Sequence, residues 1–119
     1  MAANPVIRVP ELSFESEKND TETTVRAIGR ITSTTASKLD SALREVIPQS
    51  KRVVLDLTRV EYIDSAGLGA LVSAYMHARR AECDLEIANP KPRIRDLFTR
   101  SRLGSVFEGH EDLLGMTPD

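Results

Sequence analysis

The hydrophobic and polar positions of this chain alternate in β fashion at first and fall into helical spacing afterwards. Leu12 and Phe14 alternate with Ser13 and Glu15, which predicts a half-buried strand over residues 12–17. Lys18-Asn19-Asp20-Thr21 reads as a polar turn. The β-branched run over residues 23–28 predicts a second strand and hence a hairpin, with Gly29 expected to break the run. Thr32-Ser33-Thr34-Thr35 supplies hydroxyls of the kind that cap helices. Ala36, Leu39, Leu43, Val46 and Ile47 then recur on one helical face, and Pro48 ends that helix. Val53-Val54-Leu55-Asp56-Leu57 is almost continuously apolar and predicts a strand buried on both faces.

Residues 58–63 are expected to connect that strand to a second helix, which starts near Asp64-Ser65. Leu68, Leu71, Val72, Tyr75 and Met76 form its apolar stripe, and Arg79 and Arg80 complement the dipole at its end. Residues 85–88 predict another strand. Ile94, Leu97 and Phe98 mark a third helix, with Gly104 as its expected stop. A brief strand at Val106-Phe107 and a last helical turn over residues 111–114 complete the expectation. Two strands followed by alternating helices and strands imply an α/β fold with a mixed, mostly parallel sheet and right-handed crossovers.

Size and composition narrow the function classes. The 119 residues suffice for one hydrophobic core and not for two, so residues 1–10 are expected to form an arm and residues 11–119 a single domain. A net charge of −2 argues against a nucleic-acid binder held by bulk positive charge, and the absence of tryptophan argues against base-stacking platforms. The single cysteine, Cys83, cannot close an internal disulfide. No apolar run is long enough to span a bilayer, and residues 1–10 lack the apolar core of a signal peptide, so cytoplasmic residence is the expectation.

The informative stretch runs over residues 53–71, VVLDLTRVEYIDSAGLGAL. A strand feeds a connection that delivers Asp64-Ser65 to a helix N-terminus. Gly67 and Gly69 lie in the first turns of that helix, where each costs roughly 1 kcal/mol relative to alanine, which points to something approaching the backbone closely: a neighbouring strand or a partner. A serine in that place is read either as a helix cap or as a phosphoacceptor. A phosphoserine brings about −1.5 to −2 charges to free N–H groups, with the Asp64 carboxylate beside it.

Asp64-Ser65-Ala66-Gly67-Leu68-Gly69, with Asp56 on the preceding strand, resembles the signature of the STAS family, and in particular its stand-alone anti-sigma-factor antagonists. Gly29-Arg30-Ile31 followed by Thr35 resembles the family's segment before the first helix. Ile94, Leu97, Phe98, Leu103 and Phe107 resemble its closing pattern. The resemblance extends over roughly residues 12–114 and implies the STAS fold, with helices packed mainly on one side of the sheet. It implies a binding protein rather than an enzyme, with no cofactor or metal of its own. Unphosphorylated antagonist binds an anti-sigma factor that is a serine kinase and releases the sigma factor. Phosphorylation, here at Ser65, switches that binding off, and a phosphatase acting on phospho-Ser65 resets it. Thr32, Ser33, Thr35, Asp64, Ser65, Gly67 and Leu68 are the implied partner-binding residues, and a monomer is expected for the free chain. Thr32 stands where many antagonists carry an acidic residue, which bears on how the partner docks.

Other readings stay open from sequence. The chain could serve as a STAS interaction module of a lipid-transport or other signalling complex without serine phosphorylation. Asp56 could mark a receiver domain phosphorylated on aspartate, although Glu15 and Glu17 do not form the adjacent acidic pair which that chemistry needs, and Lys91 lies between two prolines. Asp56, Glu61 and Asp64 lack an accompanying nucleophile–base pair. His77 and His110 lack metal-ligand spacing with Cys83. Arg93, Arg95, Arg100 and Arg102 make the third helix basic, as a solvated face or as a patch for an acidic partner.

Overall fold

The computed structural model describes residues 10–100. Strand β1 (Leu12–Lys18) and strand β2 (Glu22–Ile31) form the expected antiparallel hairpin, in register from Leu12↔Gly29 to Lys18↔Thr23. Asn19 closes its turn by accepting from the Thr21 and Glu22 N–H groups at 3.1 and 2.8 Å. Helix α1 (Ala36–Val46) follows and passes into a 3-10 turn (Ile47–Gln49) at Pro48. Strand β3 (Arg52–Ile63), helix α2 (Ser65–Arg80), strand β4 (Asp84–Ala88) and helix α3 (Pro92–Arg100) complete the order. The sheet order is β1-β2-β3-β4, with β2–β3 and β3–β4 parallel. The expectations for Gly104, Val106-Phe107 and residues 111–114 lie outside the described residues.

The core lies on one face of this mixed sheet. Leu39 and Leu43 of α1, Leu68, Leu71 and Ala78 of α2, and Ile94 and Phe98 of α3 are buried with Val25, Ala27, Val53, Leu55, Leu85 and Ile87 of the strands. The opposite face is polar. Arg52 pairs with Glu22 at 3.2 Å and with Glu86 at 2.5 Å, and Arg26 lies 3.4 Å from Glu17. This corrects the reading of β3 as buried on both faces: Val53, Leu55 and Leu57 are buried, whereas Val54 and Asp56 are only half-buried. Met76 is a second correction. It is 44% exposed although its spacing places it on the apolar stripe, whereas Leu68, Leu71 and Tyr75 are buried in the core and Val72 packs against it.

Two further departures shape the site. Gly29 does not end β2 but sits inside it at φ +124°, because a Cβ there would lie 2.1 Å from the Glu11 carbonyl oxygen. Residues 58–63 are not a connecting loop but the second half of β3. The pairing slips between Arg26↔Asp56 and Ile28↔Arg59, and again between Gly29↔Val60 and Arg30↔Tyr62, so β3 carries one extra residue at each slip. The two bulges replace the period of two by a period of three, and Leu57, Val60 and Ile63 turn inward with exposed pairs between them. Asp56 holds the first bulge, accepting from the Thr58 N–H at 2.9 Å and from its hydroxyl at 2.6 Å.

Candidate functional site

The bulged end of β3 hands the chain directly to α2 through Asp64. The Asp64 N–H donates to the Ile31 carbonyl at the end of β2 (3.3 Å), so the helix starts where the two central strands end. Asp64, not Ser65, is the cap: its Oδ1 accepts from the Gly67 N–H at 2.8 Å. Its Oδ2 faces the Ser33 N–H at a long 3.4 Å, which ties the loop before α1 to the start of α2. With the cap assigned to its neighbour, Ser65 is the first residue of the helix. Its side chain is exposed and makes no hydrogen bond among the described residues.

The loop before α1 is pinned from within. Thr35 Oγ1 accepts from the Thr32 N–H at 2.9 Å and donates to the Arg30 carbonyl at 2.8 Å. Thr32 Oγ1 accepts from the Thr34 N–H at 3.2 Å. The expected hydroxyl cap of α1 is therefore not made: Thr35 occupies the cap position but its hydroxyl points back to β2. Ser33 and Thr34 are left exposed beside Asp64 and Ser65.

Of the seven residues expected on a docking surface, Ser33 and Ser65 are exposed, and Thr32 and Asp64 are half-buried. Thr35, Gly67 and Leu68 are buried beneath them. Gly67 is required by packing, since a Cβ on it would lie 2.1 Å from the Ile31 carbonyl oxygen. A Cβ on Gly69 would meet no atom within 4 Å beyond its own helix among the described residues, so of the two glycines it is Gly67 that the chain itself approaches closely. Tyr62, which the sequence reading passed over, is 43% exposed, and Arg30 stacks on its ring at 5.0 Å. Its signal was the period of three over residues 57–63.

The carboxylates near the site are separately engaged. Partial burial pushes the Asp56 carboxyl up, but the Thr58 hydrogen bonds, Asn89 and the Arg26 charge outweigh it and hold the group below its ordinary value. Glu61 bonds Lys91 at 2.8 Å, and that hydrogen bond and charge lower its pKa. Asp64 caps α2. Lys91 is thus committed to Glu61 rather than to Asp56, and Asp56 serves the bulge, which leaves the receiver reading without its expected lysine partner. Among the described residues no group of three or more His, Cys, Asp or Glu side chains could hold a metal ion. No helix among them is long and apolar enough to cross a membrane.

A family model described as "Mlab, STAS domain" matches residues 14–114. The chain belongs to the STAS family. The STAS chain is 34% identical over 100 residues to the anti-sigma-B factor antagonist of Listeria monocytogenes, which covers 82% of this chain and 87% of that one. Its fold matches the crystal structure of an anti-sigma factor antagonist from Mycobacterium paratuberculosis with a TM-score of 0.64 at 22% identity, over 95% of this chain and 92% of the other. It also matches the Bacillus cell fate determinant SpoIIAA in its phosphorylated form, with a TM-score of 0.61 at 19% identity over 78% and 86% of the two chains. These likenesses agree with the fold of this chain: a four-stranded mixed sheet with three helices.

Proposed function

We propose that this STAS protein is an anti-sigma-factor antagonist whose switch is phosphorylation of Ser65. The observation that carries the reading is the division of labour at the start of α2. Asp64 caps the helix, which frees the Ser65 hydroxyl to face solvent with no partner among the described residues. Support comes from the antagonist relatives at 34% identity and from a fold neighbour solved in a phosphorylated form.

On this reading the unphosphorylated chain binds an anti-sigma factor that is a serine kinase, and the sigma factor is released. The kinase transfers the terminal phosphoryl group of its own ATP to Ser65 Oγ, whose proton is given up as the O–P bond forms and ADP leaves. The phosphoserine brings about −1.5 to −2 charges next to Asp64. The Asp64 carboxylate holds the Gly67 N–H and stands beside the phosphate on the exposed first turn. The added charge therefore stays on the docking surface and opposes the partner. About 2.8 kcal/mol at the interface changes affinity roughly a hundredfold. A phosphatase then restores the hydroxyl.

The test is capture from native lysate by wild type, Ser65→Ala and Ser65→Glu, with mass spectrometry of the bound proteins and of the Ser65 peptide. The expected result is a small ATP-binding kinase held by wild type and Ser65→Ala but not by Ser65→Glu, with phosphate on Ser65 of the wild type. Equal capture of other components by all three, with Ser65 unmodified, overturns the reading. The chain would then be a STAS module of a transport or other signalling assembly.

A further inference from the structure

The ends of the central strands carry a pair of side chains that the switch itself does not use. Arg30 and Tyr62 are register partners, one step before Ile31↔Ile63. Ile31 and Ile63 turn inward and are buried, so Arg30 and Tyr62 turn outward, and both are exposed. The Arg30 guanidinium lies 5.0 Å from the centre of the Tyr62 ring. Arg26, Arg52 and Arg59 of the same strands each have a carboxylate at 3.9 Å or closer, whereas Arg30 has none among the described residues. Its backbone is held on both sides: the Arg30 N–H donates to the Glu11 carbonyl at 2.8 Å, and its carbonyl accepts from the Thr35 hydroxyl at 2.8 Å. A ring against the guanidinium occupies its face and leaves its edge, a planar fork of N–H donors, for a further partner.

We infer that the Arg30–Tyr62 pair is a specificity-determining part of the surface on which the anti-sigma factor docks, and that it receives an aspartate or glutamate carboxylate of that partner; this rests on the reading of Ser65 as the phosphoacceptor. Neither residue belongs to the set that the family resemblance implied. Three steps of chain separate Tyr62 from Ser65, a reach of at most roughly 11 Å. A stable interface takes about 800 Å² from each partner, which is a disc roughly 16 Å in radius. A partner centred on Ser65 therefore covers the pair as well. Interface energy concentrates in tyrosine and arginine, and a guanidinium already stacked loses little freedom when it takes a carboxylate in its fork. The unpaired cation fixes the sign of the group it receives, since a lysine or arginine of the partner would be repelled there. The same sign agrees with the switch: a carboxylate seated on Arg30 is close enough to be repelled by the charge that a phosphate on Ser65 adds.

The test uses the full chain and the kinase identified by its transfer of phosphate to Ser65. Binding is measured by titration, and KM and kcat for Ser65 phosphorylation by initial rates, with wild type, Arg30→Glu, Arg30→Lys, Tyr62→Ala and Arg80→Glu. Arg80 is exposed at the far end of α2, about 22 Å from Ser65, and its reversal makes the same change in net charge. Thermal unfolding matched to wild type establishes that each variant is folded. Arg30→Glu and Tyr62→Ala should each lower affinity roughly tenfold and Arg30→Lys less, with the loss falling on KM rather than on kcat. Arg80→Glu should bind as wild type does. The deficit of Arg30→Glu should shrink as salt is raised from about 50 to about 500 mM. Binding by Arg30→Glu indistinguishable from wild type, or an equal loss in Arg80→Glu, overturns the inference and leaves Ser65 as the phosphoacceptor. If no kinase transfers phosphate to wild-type Ser65, the antagonist reading itself falls and the inference falls with it.

Discussion

The two glycines of α2 allow one chemical change to be made twice, two residues apart, with opposite expected signs. At Gly67 a methyl group would lie 2.1 Å from the Ile31 carbonyl oxygen and 2.8 Å from its carbon. A carbon and a carbonyl oxygen settle at about 3.3 Å or more, so the start of α2 must retreat from β2 by roughly 1.2 Å. Overpacking of that kind costs about 1–3 kcal/mol. The retreat also strains the Asp64–Gly67 cap, worth about 1 kcal/mol, while alanine returns at most about 1 kcal/mol of helix propensity. The net for Gly67→Ala is about 2 kcal/mol of destabilisation. A methyl group at Gly69 would meet no atom within 4 Å beyond its own helix among the described residues, so Gly69→Ala keeps only the propensity gain and should stabilise by about 1 kcal/mol. The variants should differ by about 3 kcal/mol, or roughly 12 °C in Tm for a domain of this size. Helical circular dichroism followed through thermal and urea unfolding reads this directly, since the chain has no tryptophan. Gly67→Ala as stable as wild type, or Gly69→Ala clearly less stable, would refute the account of how α2 meets β2.

Two further outcomes follow from the structure. Asp56→Ala should destabilise the fold by about 1–2 kcal/mol through loss of the bulge bonds. Because the Asp56 pKa is depressed in the folded chain, the ionised carboxylate stabilises above its unfolded value, near 3.9, and the benefit is lost as pH falls through the folded value; the gap between wild type and Asp56→Ala in urea unfolding should be full at pH 6 and shrink below about pH 4. Cys83 is 5% exposed, and burial, aided by the Asp84 charge, pushes its thiol up. An aromatic disulfide reagent at pH 8 should therefore modify native chain far more slowly than chain in urea, and equal rates would contradict the burial.

The parts of the fold that were legible in the sequence were those built on an unbroken period. The hairpin, the α1 face and the Leu68–Leu71–Tyr75 stripe follow from spacings of two and of three to four. What was not legible was whatever interrupts a period or depends on a distant neighbour. The second half of β3 looked like a loop because two bulges move its inward positions to Leu57, Val60 and Ile63, a spacing that fits neither template. Gly29 looked like a breaker because only the Glu11 carbonyl across the hairpin explains it. At the site, Asp64 and Ser65 were recognisable as a helix start, but which of them caps it depends on side-chain direction. Gly67 and Leu68 matched a motif, and a motif does not distinguish residues that touch a partner from residues that hold those residues in place.

That distinction bears on how the proposed switch would operate. Asp64 is bonded to Gly67 in its own helix, faces Ser33 in the loop before α1, and donates through its N–H to Ile31 in β2. Ile31 in turn is buried against the glycine that lets α2 approach. The junction under Ser65 is thus anchored at three points, two of them to buried backbone. A phosphate on Ser65 would share the start of α2 with the Asp64 carboxylate, which already holds the Gly67 N–H. The energetically open course is for the new charge to remain at the surface beside Asp64, where it would act on a docking partner by repulsion and desolvation rather than by refolding this domain. The fold would then serve the switch by refusing to absorb it.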